Sequence, residues 1–346
     1  MARRRIGIAL EERHTYFPPD PMPYLIPELE LGAYLRLNRA SYGEWLAAIR
    51  AVWGCDRTGC RLHHHAVAVG ALAALTSDSG HIVSLHASQG MDLAGFHTLN
   101  PVLLLPLTEG PEIAFGDGEW RALSRLLVAL PEQGFDLRLP ECSRVMLISP
   151  EKSILDRLSG ITADGPMSDL ENLIRCYLYR SRFFQNHAHA QQVTNELFSQ
   201  MASTVGMKAT PPRECSGIDH RLRRAINKIR QEPDWDFNLQ ELASHSGVSE
   251  RNLYYLMKRE TGMTPYRLYQ RNRLMRVRQR LVDCQCAVPH ISWYAADAGF
   301  SHLGRFAALY REHFGELPSE TVQWRRNLQG SGVGRQVVDE PDLLLS

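Results

Sequence analysis

A chain of 346 residues is longer than one ordinary core supports, so length alone predicts two domains with a connecting region. The hydrophobic share of 44%, with no apolar run long enough to span a bilayer, fits globular folding and argues against a transmembrane helix. The net charge of +1 hides an asymmetry: residues 211–330 hold 19 Lys and Arg against 13 Asp and Glu, and the remainder holds 20 against 25. A basic segment of this kind fits a nucleic-acid surface, although a solvated helical face has the same composition.

Residues 1–41 read as an N-terminal arm. Its apolar stretch "IGIAL" is cut at once by "EERH", too short for the core of a signal peptide, so a cytoplasmic location is expected. The seven cysteines are odd in number and scattered. Neither Cys55/Cys60 nor Cys284/Cys286 has zinc-ribbon or redox-pair spacing, and reduced thiols are expected.

Residues 42–160 alternate brief apolar runs ("HIVSLHAS", "PVLLLPLT", "PEIAFG", "SRVMLIS") with Gly, Pro, Asp and Ser. This texture predicts an antiparallel sheet closed into a barrel or sandwich, a small β domain. Within it, "RTGCRLHHHAVAVG" as a strand puts Arg61, His63 and His65 on one face with Val67, and Leu62 and His64 on the other. With His81, His86 and His97 the pattern imitates a cupin metal site. No carboxylate follows the pair at cupin spacing, so hydrogen-bonded histidines are the favoured reading and no metal or other cofactor is expected.

Residues 161–210 change to helical periodicity, in "LENLIRCYLYRSRFF" and "HAQQVTNELFSQMAS". Leu170, Leu173, Ile174, Tyr177 and Leu178 form one apolar face. It suits a dimer interface, and equally suits packing on the chain's own sheet. A Pro-containing linker (211–217, within "KATPPREC") leads to an all-helical region (218–328), and a Gly-rich, then acidic tail (329–346) is expected to be mobile.

The helical region contains a repeat. "LASHSGVSERNLYYLMKRETGMTP" offers Ala243, Gly247, Ser249, Gly262 and Pro265; "YAADAGFSHLGRFAALYREHFGELP" offers Ala295, Gly299, Ser301, Gly315 and Pro318. With one extra residue after Ser301, the triplet Leu253, Leu256, Met257 matches Phe306, Leu309, Tyr310. Each unit reads as a helix-turn-helix. In the first, Asn238 and Glu241 make a capping box, Gly247 takes the turn, and Ser249 caps the second helix. That helix turns its apolar triplet inward and Arg251, Tyr255 and Lys258 outward. The joining stretch "YRLYQRNRLMRVRQRL" packs through Leu268, Leu274, Val277 and Leu281, leaving Arg271, Arg273, Arg276, Arg278 and Arg280 for the remaining surface. Two recognition helices held by a rigid helix would meet successive major-groove faces about 34 Å apart.

These residues resemble the DNA-binding domain of the AraC/XylS transcription regulators. The carriers are the duplicated unit and the run "GFSHLGRFAALYREHFGELPSE", and "HLGRFA" with "FGELPS" is most similar to the XylS branch, whose members activate aromatic-acid degradation genes. The resemblance covers about a third of the chain. It implies base contacts from Arg251, Tyr255, Arg305 and Ala308, with phosphate contacts or support from Ser249, Asn252, Lys258, Ser301, His302 and Arg311. Tyr255 and Ala308 depart from the smaller polar and the charged or polar side chains usual there, and Tyr294 stands at a usually aliphatic position. A weaker similarity of "GCRLHH" to XylS-type effector domains makes Arg57, Arg61, His63 and His65 candidates for holding an effector, an aromatic carboxylate by analogy.

The expected fold is therefore α+β: an N-terminal β-rich cupin-like barrel or sandwich with flanking helices, then an all-α domain of two helix-turn-helix units joined by a long helix. The expected function is a non-enzymatic, effector-responsive transcription activator, a homodimer that binds promoter DNA and engages RNA polymerase away from any membrane. Two other readings compete: a cupin-like metal-dependent enzyme using His63, His65 and His86, and a ligand-independent architectural DNA binder.

Overall fold

A computed structural model describes residues 30–330 apart from 98–99, 117, 131–133, 152–165, 207–218 and 287. The expected linker, the tail from 331 on and most of the expected arm lie outside the described residues.

The architecture is α+β, with the sheets N-terminal and the helices C-terminal. In chain order the front part runs β1 (Leu35–Ala40), α1 (Tyr42–Trp53), β2 (Gly59–Leu62), β3 (Gly70–Ser77), β4 (Gly80–Ala87), β5 (Met91–Phe96), β6 (Val102–Pro106), β7 (Glu112–Ala114), β8 (Arg121–Ala122), β9 (Leu127–Ala129), β10 (Phe135–Leu139) and β11 (Arg144–Pro150). Among the described residues these make a six-stranded sheet, β1-β3-β4-β11-β6-β9, and a five-stranded sheet, β2-β5-β10-β7-β8, with antiparallel neighbours.

Burial explains the two kinds of strand. The six-stranded sheet is covered on both sides. Leu72, Val83, Leu85, Leu104 and Leu147 face a core shared with the five-stranded sheet, while Leu75, Ile82, Leu103, Met146 and Ile148 face helices. Its strands must then be apolar almost throughout, and β6 "VLLLP" is buried at every position. The five-stranded sheet has one face toward solvent, so β10 "FDLRL" alternates, with Phe135, Leu137 and Leu139 inward.

The β domain begins earlier than its composition suggested. Residues 35–40, assigned by sequence to the arm, pair with β3 across two register irregularities and bury Leu37 and Ala40 completely. The histidine run is not a strand: β2 ends at Leu62, and of the three residues expected on one face Arg61 and His63 both reach Asp92 while His65 stands apart.

Two helices follow, α2 (Pro166–Ser181) and α3 (His187–Gly206). Leu170, Leu173, Ile174, Tyr177 and Leu178, expected as a dimer interface, are buried within the chain against the six-stranded sheet and α3. Burial of a large apolar side chain is worth about 1.5 to 3 kcal/mol, which the sheet already supplies. These five residues therefore cannot also serve a partner while the fold stands. Cys176 on α2 is disulfide-bonded, correcting the expectation of uniformly reduced thiols; Cys55, Cys60, Cys142, Cys284 and Cys286 are free.

The C-terminal part comprises α4 (His220–Gln231), α5 (Leu239–Ser246), α6 (Glu250–Thr261), α7 (Pro265–Asp283), α8 (Ile291–Asp297), α9 (Leu303–Phe314) and α10 (Pro318–Gly330). The start of α7, with α4, α5 and α6, encloses one core around Leu222, Ile226, Leu253 and Met257. The end of α7, with α8, α9 and α10, joins the larger core on the helical side of the six-stranded sheet.

Candidate nucleic-acid interface

The first helix pair is built largely by the local chemistry expected of it, the second only in part. Asn238 accepts from the Glu241 backbone N–H at 3.0 Å and so starts α5. The box is only half formed, because the Glu241 carboxylate turns to the Trp235 indole N–H and Lys228. Gly247 ends α5 at φ 71°, and Ser249 accepts from the Asn252 N–H at 3.3 Å to start α6. In the second pair Gly299 takes φ 77°. Ser301 does not cap α9: His302 occupies that position, without a side-chain capping bond.

The inner faces match. Leu253 and Met257 are buried and Leu256 half-buried on α6; Phe306 and Tyr310 are buried and Leu309 half-buried on α9. Outward, Arg251, Asn252, Tyr255 and Lys258 are exposed on α6, as are Arg305, Ala308 and Arg311 on α9, with Ser249, Ser301 and His302 exposed ahead of their helices. The Arg251 guanidinium lies 5.7 Å from the Tyr255 ring centre, so these two form one surface patch. Lys258 is committed elsewhere, donating to Gly262 O at 2.9 Å and closing the C-terminus of α6. With the triplets matched, Ala308 corresponds to Tyr255, and Arg305 to Asn252 rather than to Arg251.

The five arginines of α7 expected at the surface are instead engaged within the chain. Arg271 and Arg278 are buried; Arg271 donates to Phe184 O at 2.8 Å, and Arg278 to Glu316 at 2.8 Å and Leu35 O at 3.1 Å. Arg276 donates to Pro233 O at 2.8 Å, Arg280 pairs with Asp297, and Arg273 donates to Ala298 O. Tyr294, the bulky departure on α8, is accommodated beneath the Arg280 guanidinium, whose carbon lies 4.8 Å from its ring centre.

The front-domain candidates fall apart. On the outer face of the five-stranded sheet, Arg61, Asp92, Arg138 and Glu112 line up across four neighbouring strands. Asp92 accepts from Arg61 at 2.5 Å and Arg138 at 3.0 Å, and lies 3.0 Å from the His63 ring. Burial raises its pKa, and the three hydrogen bonds outweigh that, drawing it down to about 2. Arg57 and His65 are exposed and stand outside this cluster. His81 packs against Trp53, and His86 is paired across the strands with Arg144. Among the described residues no three His, Cys, Asp or Glu side chains are placed to hold a metal ion.

A helix-turn-helix domain family matches residues 242–323, the span from α5 to α10. XylDLEGF operon transcriptional activator 1 of Pseudomonas putida is 37% identical over 105 residues, 30% of this chain and 32% of that protein. The activator RhaS of Escherichia coli O157:H7 is 27% identical over 168 residues, 42% of this chain and 59% of that protein. A probable AraC family transcriptional regulator from Rhodopseudomonas palustris is 30% identical, covering 30% of this chain and 96% of that one, with a TM-score of 0.28. This chain carries an AraC-type helix-turn-helix domain over residues 242–323. It spans about a third of the length of the first of these curated relatives. The AraC family is one of transcriptional regulators and not of enzymes.

The structure gives two arginines a role that sequence reasoning did not assign them. Arg224 on α4 donates to Ser246 O at 2.8 Å, and Arg273 on α7 donates to Ala298 O. Each thus holds the carbonyl that precedes the turn glycine of one unit, Gly247 or Gly299. A Cβ on either glycine would press into that guanidinium. The recurrence of an arginine ahead of each unit was the available signal, but it was absorbed into the count of basic charge.

Proposed function

We propose that this chain is a sequence-specific DNA-binding transcription activator of the XylS branch, reading two successive stretches of major groove with α6 and α9. The observation that carries the reading is the duplicated arrangement of buried inner triplets with Arg251 and Tyr255 exposed on one helix and Arg305 and Ala308 on the other. Arg251 and Arg305 would read guanine edges by paired hydrogen bonds, and Ala308 a thymine methyl. Asn252, Ser249, Ser301, His302 and Arg311 would meet phosphates, with Lys258 supporting α6 from its C-terminal end.

The β-rich front part, cupin-like in this reading, would sense a small molecule. An aromatic carboxylate is the proposed class, since Arg57 and Arg61 carry the matching guanidinium forks. Arg61 would have to exchange Asp92 for the ligand, with His63 and His65 beside it. The protein would act in the cytoplasm as a homodimer contacting RNA polymerase, through a face other than the inner side of α2. Among the described residues no helix is long and apolar enough to cross a membrane.

In vitro selection from a random duplex pool tests the reading. It should return one sequence with two conserved blocks about one turn apart, lost on Arg251→Ala or Arg305→Ala. Recovery of unrelated sequences with equal affinity would favour an architectural binder instead.

A further inference from the structure

The connection between α2 and α3, "RFFQN" from Arg182 to Asn186, lies where the two helix-turn-helix units meet. Its two phenylalanines serve different cores. Phe183 is buried with Leu253 and Met257 of the first unit and Leu222 and Ile226 of α4, and Phe184 is buried in the larger core that includes the second. The segment's backbone is anchored from α7, because the buried Arg271 donates to Phe184 O at 2.8 Å.

The flanking residues reach equivalent points of the repeat. Gly262 closes α6 at φ 70°, and Gly315 closes α9 at φ 78°. The Gln185 amide covers Gly262 so closely that a Cβ there would collide with it, and the His187 ring covers Gly315, where a Cβ would come within 2.7 Å. His187 is itself positioned by the Tyr34 hydroxyl at 3.1 Å. One short segment from outside the DNA-binding domain therefore touches the C-terminal cap of both recognition helices.

We propose that the α2–α3 connection is a spacer that fixes the separation and angle of the two recognition helices, making Phe183, Gln185 and His187 positioning residues for DNA reading. This rests on the DNA-binding function proposed above. The geometry makes spacing the sensitive quantity. One base pair added between half-sites moves the second by about 3.4 Å and rotates it by about a tenth of a turn. A rigidly spaced pair of helices cannot follow that movement, whereas a pair joined by α7 alone follows it more easily. A shift of α2 or α3 would change the reach of both helices together.

The test uses the full chain and the duplex it selects from a random pool, with one or two base pairs inserted or deleted between the conserved blocks, and each block alone. Wild type should lose about tenfold or more in affinity per base pair of mis-spacing. Phe183→Ala should reduce that penalty to about threefold or less and leave affinity for a single block unchanged; Phe183→Leu should restore it. The paired change Gln185→Ala with His187→Ala removes the contacts with the capping glycines, together with the Tyr34–His187 bond, while leaving Phe183 in place, and decides the matter if Phe183→Ala does not fold. Folded variants that keep the wild-type spacing penalty would overturn the proposal while leaving DNA reading intact. Failure of wild type to select any sequence would overturn both.

Discussion

Arg325 on α10 and Glu44 on α1 form a two-pronged ion pair across the junction of the β domain and the helical domain, with Nε to Oε1 at 2.7 Å and Nη2 to Oε2 at 2.8 Å. Both side chains are buried, and Arg325 also donates to the carbonyls of Asn38 and Val282. Beside it Arg278 and Arg36 both hold Glu316, and Asn38 holds Asp283. The end of α7 and the α9–α10 helices are thereby fixed to β1.

Removing one partner leaves a buried charge uncompensated, so Glu44→Ala or Arg325→Ala should each cost about 3 to 5 kcal/mol of stability. Replacing both by methionine should cost far less than the sum of the two single changes. Urea unfolding of the four proteins measures this, and additive losses would show that the pair is not a coupled unit.

Acid should loosen the same junction. Burial disfavours the Glu44 carboxylate, but Arg325, Ser41 and Gln329 outweigh that and bring its pKa from 4.5 down to about 2. Glu316 is likewise lowered, with burial opposed by Arg278 and Arg36. Carboxyls lowered on folding stabilise the fold above their unfolded pKa, and the contribution fades as pH falls through the folded value. Unfolding midpoints should therefore drop between about pH 4.5 and 2, less steeply for Glu44→Gln.

Base reading and structural support should separate cleanly. Arg251→Ala and Arg305→Ala should each weaken binding to the selected duplex by about 1 to 3 kcal/mol and relax preference at one position. Arg273→Ala should instead lower thermal stability, since that side chain clasps the turn before α9. Titration of variant duplexes against each protein tells the two effects apart.

Salt dependence should report which cations meet phosphate. Arg311 is exposed on α9, so Arg311→Ala should flatten the slope of log affinity against log salt by about 0.9. Arg276 is engaged with the Pro233 carbonyl, and Arg276→Ala should leave that slope unchanged.

The helical domain was the readable part of the sequence, because its limits are stated locally: a glycine at positive φ and an apolar triplet at helical spacing in both helix pairs, and a capping Asn and Ser in the first. Outward residues such as Arg251 and Arg305 followed from the same period. What misled was any feature decided by distant neighbours. Arg278 sits in a basic stretch that reads as surface, yet its partners Glu316 and Leu35 come from α10's approach and from β1. The face of Leu170 and Ile174 suited a partner molecule and the chain's own sheet equally, because its cover, the six-stranded sheet, lies far away in the chain. β1 was missed because "LRLNRA" is short, partly charged, and apolar enough only in the company of β3. Phe183 and Phe184 read as the end of a periodic helical stretch, whereas the helix stops at Ser181 and the two rings enter different cores.

The most direct measurement is a hydroxyl-radical footprint of the full-length chain on its selected duplex. Two adjacent α6 and α9 contacts on one side of the DNA predict two protected patches about one helical turn apart on each strand, one lost with Arg251→Ala and the other with Arg305→Ala. A single patch, or protection that neither change alters, would contradict paired reading by the two helices.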